Sequence, residues 1–489
     1  MSSRSFFVTN FGCRASQSEG AAIEQELLNG AAIPASSVFA ADVVVVNTCT
    51  VTEEADREAR QLIRRIASRN PQARVVVTGC YAQRAPEELA ALPGVSHVVG
   101  NSHKPILGQL TLKVLDSDFT AEPSGRAEVF CSDIFLEHEL KPESHLGSGG
   151  RTRAIVKVQD GCNANCSFCI IPSVRGRSRS LPPRSVIEEV ASLVDRGYKE
   201  VVLSGIHLGT FGRDLNPKTS LENLIEEILE DVPSLQRLRL SSIEPLEVTE
   251  GVIGLVATNR RIAHHLHIPL QSGSSRVLRA MRRPYQPEYY LDLVNRIRDR
   301  VADASIGADV MVGFPGETDE EFSQTFRLIE ESPLTYLHVF PYSARPGTPA
   351  AELGGQVPVH VANFRAKALR QLIARKHSAF LASMVGRVLD VLVLQSGEGL
   401  TSNFLKVSTP EKLPVNEWLP LQIVGNQANL VASPSPSGRR WPEGPDEGSS
   451  KPAHPSHADQ AIPSPAAPPR TTPADHALTT HEIESRPST

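Results

Sequence analysis

Over residues 4–110, short apolar runs alternate with amphipathic stretches. "FFVTNFGC" leads into "SEGAAIEQELLNG", "DVVVVNTC" into "EEADREARQLIRRIASRN", and "RVVVTGC" into "APEELAALPG". This is the βαβ rhythm of a parallel sheet, so an N-terminal α/β domain is expected there. Residues 111–150 lose the period, end in "ESHLGSGG", and read as a connecting segment. From 151 the rhythm restarts. "AIVKVQ", "EVVLS", "QRLRL", "HLHIPL", "SIGADVMV" and "LTYLHVF" are expected strands, with helices such as "PRSVIEEVASLVDRG" and "DEEFSQTFRLIEES" between them. Six β/α units predict a partial TIM-like barrel over 151–375, closed by the helix "HVANFRAKALRQLIARKHSAFLASMVG". Residues 376–432 turn all-β ("RVLDVLVLQ", "NFLKVS", "LPLQIVGNQANLVAS"), enough for a small barrel. The Pro- and Ser-rich stretch 433–489 cannot bury a core and is expected to be a disordered tail.

The 489 residues leave room for these domains. The net charge of −5 offers no global argument for nucleic acid, so any such site must be a local basic patch. The N-terminus "MSSRSFFVTNFGC" lacks the apolar run of a signal peptide, and no stretch approaches the roughly 20 apolar residues of a membrane span. A cytoplasmic protein without a membrane partner is expected. Seven cysteines in a reducing compartment point to metal or catalysis rather than disulfides.

Three of the cysteines crowd into "DGCNANCSFC": Cys162, Cys166 and Cys169. Three thiolates can hold three irons of a cubane [4Fe–4S] cluster and leave the fourth iron open to a small molecule. A zinc knuckle would need a fourth ligand from elsewhere. The position, directly after the first barrel strand, favours a catalytic cluster. Phe168 between the last two cysteines suits shielding of that cluster. The C-x3-C-x2-C spacing resembles the radical S-adenosylmethionine (SAM) superfamily. That resemblance implies that the open iron chelates the amino and carboxylate groups of SAM, and that an electron from the cluster cleaves a C–S bond to give a 5′-deoxyadenosyl radical.

Polar loops follow the other five barrel strands: "SGIHLG", "SSIEP", "QSGS", "GFPGE" and "PYSARPGT". All are expected on one rim, with Gly205, Gly273, Gly313 and Gly316 allowing close backbone approach to a ligand. By resemblance, Ser204 and Gly205 stand where the superfamily often has a Gly-Gly-Glu motif, here without its glutamate. Glu244, Gln271, Asp309 and Arg345 complete the candidate cofactor contacts, for ribose or carboxylate.

Cys13, Cys49 and Cys80 are scattered, yet each ends a predicted strand and precedes a helix. In a parallel sheet these ends share the ligand-binding edge. The three should therefore converge on a second metal site, again a cubane with an open iron, rather than stand as separate buried cysteines. One cluster would make the radical and the other hold or donate sulfur. Cys131, in the connecting segment, is left over.

Along residues 4 to about 432 the chain resembles the radical-SAM methylthiotransferases. The resemblance rests on "NTCTVTEEADREARQLIRR", "TGCYAQR", "IIPSVRGRSRS", "PLQSGS", "GADVMVGFPGETDEEF" and "HVFPYSARPGTPA". It implies an N-terminal three-cysteine domain, a radical-SAM barrel and a C-terminal TRAM domain that binds RNA. One departure is Ser16-Gln17, where the family usually has Asn-Gln after the first cysteine. "GCYAQR" and "RGRSRS" look most like the branch acting on tRNA N6-threonylcarbamoyladenosine, which attaches a methylthio group at C2 of the adenosine beside the anticodon. An unactivated C–H bond at that carbon calls for a radical, and two SAM molecules, one for the methyl group and one for the radical. The expected partners are the tRNA anticodon stem-loop, an electron donor such as flavodoxin or ferredoxin, and a sulfur donor.

Arg175, Arg177, Arg179 and Arg184 in "RGRSRSLPPR" could clamp RNA phosphates beside the cluster, against the plainer reading of a solvated charged loop. Asn403, Phe404 and Lys406 offer an aromatic and basic strand face on the small barrel. The competing readings are methylthiolation of isopentenyladenosine or of a ribosomal-protein aspartate, a two-cluster electron carrier, and a non-catalytic RNA-binding protein.

Overall fold

The computed structural model of the chain describes residues 4–117, 126–142, 152–395, 397–426 and 429–434. The tail expected from 433 therefore lies, from 435 on, outside the described residues. The N-terminal runs form a six-stranded parallel sheet. Its strands are β1 (Ser5–Asn10), β2 (Ile33–Pro34), β3 (Val43–Thr48), β4 (Arg74–Gly79), β5 (Val95–Val99) and β6 (Glu128–Phe130), in the order β2-β1-β3-β4-β5-β6. β3 and β4 are buried along nearly their whole length, because helices cover both faces of the sheet. β6 is a correction: the segment read as a mere connector supplies the sixth strand.

The middle of the chain is α/β with a curled sheet. Its parallel strands are β7 (Arg153–Asp160), β9 (Glu200–Gly205), β10 (Arg237–Leu240), β11 (His265–His267), β12 (Ser305–Val312) and β13 (Tyr336–Pro341). β8 (Arg179–Ser180) adds a short antiparallel edge to β7. Parallel bridges Leu238–Ile262 and Ser242–His267 carry the curl from β10 to β11. The period of two sends one set of side chains, such as Val156, Leu203, Leu238 and Ala308, outward into the core beneath the helices. The alternate set, including Lys157, Glu200, Arg239, His267 and Asp309, points into the curl. Low in it, Glu200 takes Arg239 bidentately at 2.8 Å and Arg153 at 2.8 Å. Burial works against the Glu200 carboxylate, but the two arginines hold it down at about 2.

Helix Val359–Met384 runs without a break from the barrel core, where Leu369 and Leu372 pack, to the last core, where Phe380 and Met384 pack. The expected boundary at 375/376 thus falls inside a helix. The closed C-terminal barrel comprises β14 (Val388–Gln395), β15 (Glu398–Thr401), β16 (Lys406–Ser408), β17 (Trp418–Asn426) and β18 (Asn429–Pro434). It sits under the N-terminal ends of the middle strands. Trp418 Nε1 donates to Lys199 O at 3.2 Å, Asn416 Nδ2 to Gly197 O at 3.0 Å, and Asn403 Nδ2 to Asp303 O at 2.8 Å. No helix of the described residues is long and apolar enough to cross a membrane.

Candidate active site

Cys13 caps helix Arg14–Asn29 after β1, Cys49 follows β3, and Cys80 opens helix Cys80–Arg84 after β4. β1, β3 and β4 are neighbours, so the three thiols share one sheet edge. Their approach demands a bare backbone at Gly12. Its φ is +97°, and a Cβ there would stand 2.7 Å from Cys49 Cβ and 2.9 Å from Cys49 Sγ. Burial pushes the Cys49 thiol up to about 12, with Cys80 adding to it; burial likewise raises Cys80, against the pull of Arg175.

The second trio lies in the loop after β7. Gly161, with φ +72°, lets the loop turn against the Arg177 carbonyl, and Cys162 N donates to Gly176 O at 3.1 Å. Two of the three thiols meet a donor. His207 Nδ1 lies 3.4 Å from Cys162 Sγ, the Ala164 amide donates to the same sulfur at 3.3 Å, and Arg283 Nη1 donates to Cys166 Sγ at 3.2 Å. Burial pulls His207 down, but its bonds to Cys162 and Glu247 hold it up at about 10. Burial pushes Cys169 up to about 12.

Between the trios lies a buried ion cluster. Arg175, 1% exposed, donates from Nε to Cys80 Sγ at 3.2 Å and from Nη1 to Glu19 at 2.8 Å and Asp160 at 2.9 Å. Lys157 reaches Glu19 at 3.0 Å and Asp160 at 3.3 Å, and Lys104 reaches Glu19 at 2.6 Å. Asp160 accepts from the amide of Gly161, the residue before Cys162, at 2.8 Å. One guanidinium therefore ties the N-terminal trio to the loop of the second. The donor set fits iron–sulfur clusters. Six thiols stand in two groups of three, and N–H donors aim at the sulfurs of Cys80, Cys162 and Cys166, where they would stabilise negative sulfur. Buried thiols with raised pKa values need a cation to ionise.

The Radical SAM superfamily model matches residues 156–329, and Uncharacterized protein family UPF0004 matches residues 5–100. Threonylcarbamoyladenosine tRNA methylthiotransferase MtaB of Bacillus subtilis (strain 168) is 39% identical over 378 residues, covering 75% of this chain and 82% of that protein. The chain belongs to the radical-SAM methylthiotransferases. The MtaB protein of Aquifex aeolicus (strain VF5) is 37% identical over 396 residues, 81% of this chain and 94% of that one. In fold, this methylthiotransferase is like the radical SAM methyltransferase TsrM from Kitasatospora setae, with a TM-score of 0.53 and 17% identity over 72% of this chain and 77% of that one. A [4Fe–4S] cluster and SAM belong to the superfamily's chemistry.

Several expected contacts of the methylthiotransferase need correction. Arg175 and Arg179 are buried, and Arg179 Nη2 donates to Arg175 O at 2.7 Å; neither can clamp phosphate. Arg177 is exposed beside Cys162, and Arg184 is exposed and paired with Glu188 at 3.2 Å. Arg345 is buried and spends its guanidinium on Thr50, at 2.9 Å, and on Asp56, which also takes Arg84 at 2.9 Å. It joins barrel to N-terminal domain instead of touching a ribose. Glu244 is paired with Arg283. Asp309 accepts from His267 and His338; burial would raise its carboxyl, but these bonds bring it below the usual range. Asn403 is buried, and the Phe404 ring lies beneath Arg239 at 4.9 Å and against His265 at 4.6 Å. Of that face only Lys406 is exposed. Ser204 is buried and Gly205 half-buried at the end of β9, while Gln271 carries φ +65° at the barrel mouth. Cys131 Sγ lies 3.8 Å from Gln83 O. His207 and Arg283 were missed. The only sequence signal for His207 was its place in "SGIHLG", one of the strand-end loops.

Proposed function

We propose that the chain methylthiolates C2 of N6-threonylcarbamoyladenosine beside the tRNA anticodon. The observation that carries this reading is the pair of cysteine trios on either side of Arg175, supported by the substrate that the MtaB relatives' name states. When bound, two [4Fe–4S] clusters and SAM supply the electron, the carbon radical and the sulfur and methyl group. Cys13, Cys49 and Cys80 would hold the sulfur-carrying cluster, and Cys162, Cys166 and Cys169 the radical-forming one. The chain's other residues position and shield. Arg175 fixes Cys80 relative to the Asp160–Gly161 turn. Arg283 and His207 hold charge beside Cys166 and Cys162. Ser204, Gly205 and Gln271 border the SAM side of the chamber. Exposed Arg177, with Arg184 further out, meets the RNA, and Arg177 suits the threonyl carboxylate. An electron donor of the flavodoxin or ferredoxin type, a sulfur donor and a cytoplasmic location complete the reading.

A site built to pair a carboxylate and hydroxyl rejects the analogue that lacks them, because its own groups are left stranded. Turnover is therefore expected on tRNA bearing the threonylcarbamoyl group and not on the same tRNA without it. Arg177→Ala should lower methylthio product by tenfold or more while uncoupled SAM cleavage stays largely intact. Equal turnover on both tRNAs, or product only on isopentenyladenosine or a ribosomal protein, would assign a different branch.

A further inference from the structure

Inside the curl, on strands that carry no cysteine, three ligand groups converge. His267 on β11, Asp309 on β12 and His338 on β13 are brought together by the register, which pairs His267 with Gly307 and Asp309 with His338. Their neighbours Leu266, Ala308, Val310 and Val339 face the outer core, so the three share the inner face. Asp309 Oδ1 lies 3.0 Å from His267 Nε2 and 3.2 Å from His338 Nδ1. One ligand atom from each residue falls within 4.8 Å of the other two, and among the described residues no other group of His, Cys, Asp and Glu does so.

We propose that His267, Asp309 and His338 form a binding site for a divalent transition-metal ion of the zinc or iron(II) class. Two imidazole nitrogens and one carboxylate oxygen are the donor set such ions take, and three protein ligands leave positions open to the chamber. The surroundings support this. The Tyr336 hydroxyl sits 3.0 Å from His267 Nδ1 and 2.8 Å from His265 Nε2, which fixes the ring so that Nε2 faces Asp309. Gly307 makes this possible, since a Cβ there would run into the Tyr336 ring. His267 is buried while His338 is 57% exposed, so the site has a rigid back wall and an open entrance. Deeper in the curl Glu200 takes both Arg153 and Arg239, and Arg14 stands over the Phe404 ring, so positive charge remains there and Asp309 is the carboxylate that offsets an ion at this site.

The test is equilibrium dialysis of full-length, anaerobically reconstituted protein against zinc(II), with zinc and iron counted separately by element. One zinc per chain is expected with the iron content unchanged. His338→Ala should weaken that binding at least tenfold, and Asp309→Asn, which keeps the shape, should do the same. Iron content reports that each variant still folds. No zinc taken up by protein with its full iron, or the same zinc content in wild type and both variants, would overturn the site.

Discussion

Arg175→Met is expected to destabilise the protein by about 3–5 kcal/mol, because it breaks a buried ion cluster and strips Glu19, Asp160 and Cys80 of their guanidinium hydrogen bonds. Glu19 and Asp160 keep Lys157 and Lys104, which holds the loss within that range. Burial opposes the charged form of both carboxylates, yet Arg175 and the lysines hold both below the ordinary carboxylate range. Their contribution is therefore complete above about pH 5 and is lost as pH falls toward the lowered values. The stability gap between wild type and variant should be widest near neutrality and narrow in acid. Anaerobic urea unfolding at several pH values measures this. Glu19→Gln added to Arg175→Met should deepen the loss, since it leaves Lys157 and Lys104 facing Asp160 alone. A variant within about 1 kcal/mol of wild type at pH 7 would mean the cluster contributes little. Arg175→Lys keeps a charge but loses the three-way fork, so it should rescue stability only in part.

The two trios should separate on mutation. Reconstituted wild type is expected to carry about eight irons and each single-trio variant about four. Cys162→Ala should abolish reductive SAM cleavage, and with it all product. Cys49→Ala should leave cleavage measurable while methylthio transfer vanishes, a loss of several orders of magnitude set by the assay's floor. Loss of both activities in Cys49→Ala with the radical-forming cluster intact would refute the division of labour. Wild type with every cysteine intact that saturates at about four irons would remove the N-terminal cluster.

Much of this architecture was legible because it is local. The runs at Val43–Thr48 and Arg74–Gly79 and the helices after them announce a parallel sheet, and a parallel sheet brings Cys13, Cys49 and Cys80 to one edge. What was not legible depends on partners far along the chain. Arg175 looked like one of four solvated or phosphate-binding arginines, since nothing nearby shows that Glu19, 156 residues away, lies against it. Arg345 reads as a ligand contact, since nothing near it in the sequence shows that Asp56, 289 residues away, lies against it. Phe404 had the composition of an RNA-stacking residue, but Arg239 and His265 claim its ring. β6, at three residues, is too short to show a period.

The most direct measurement of the central claim is nucleoside mass spectrometry of tRNA from cells lacking this protein, with and without the gene restored. The account expects N6-threonylcarbamoyladenosine to remain and its 2-methylthio form to be missing, returning with the wild-type chain but not with Cys49→Ala. Persistence of the 2-methylthio form in the deleted cells, or loss of the methylthio group from isopentenyladenosine instead, would contradict it.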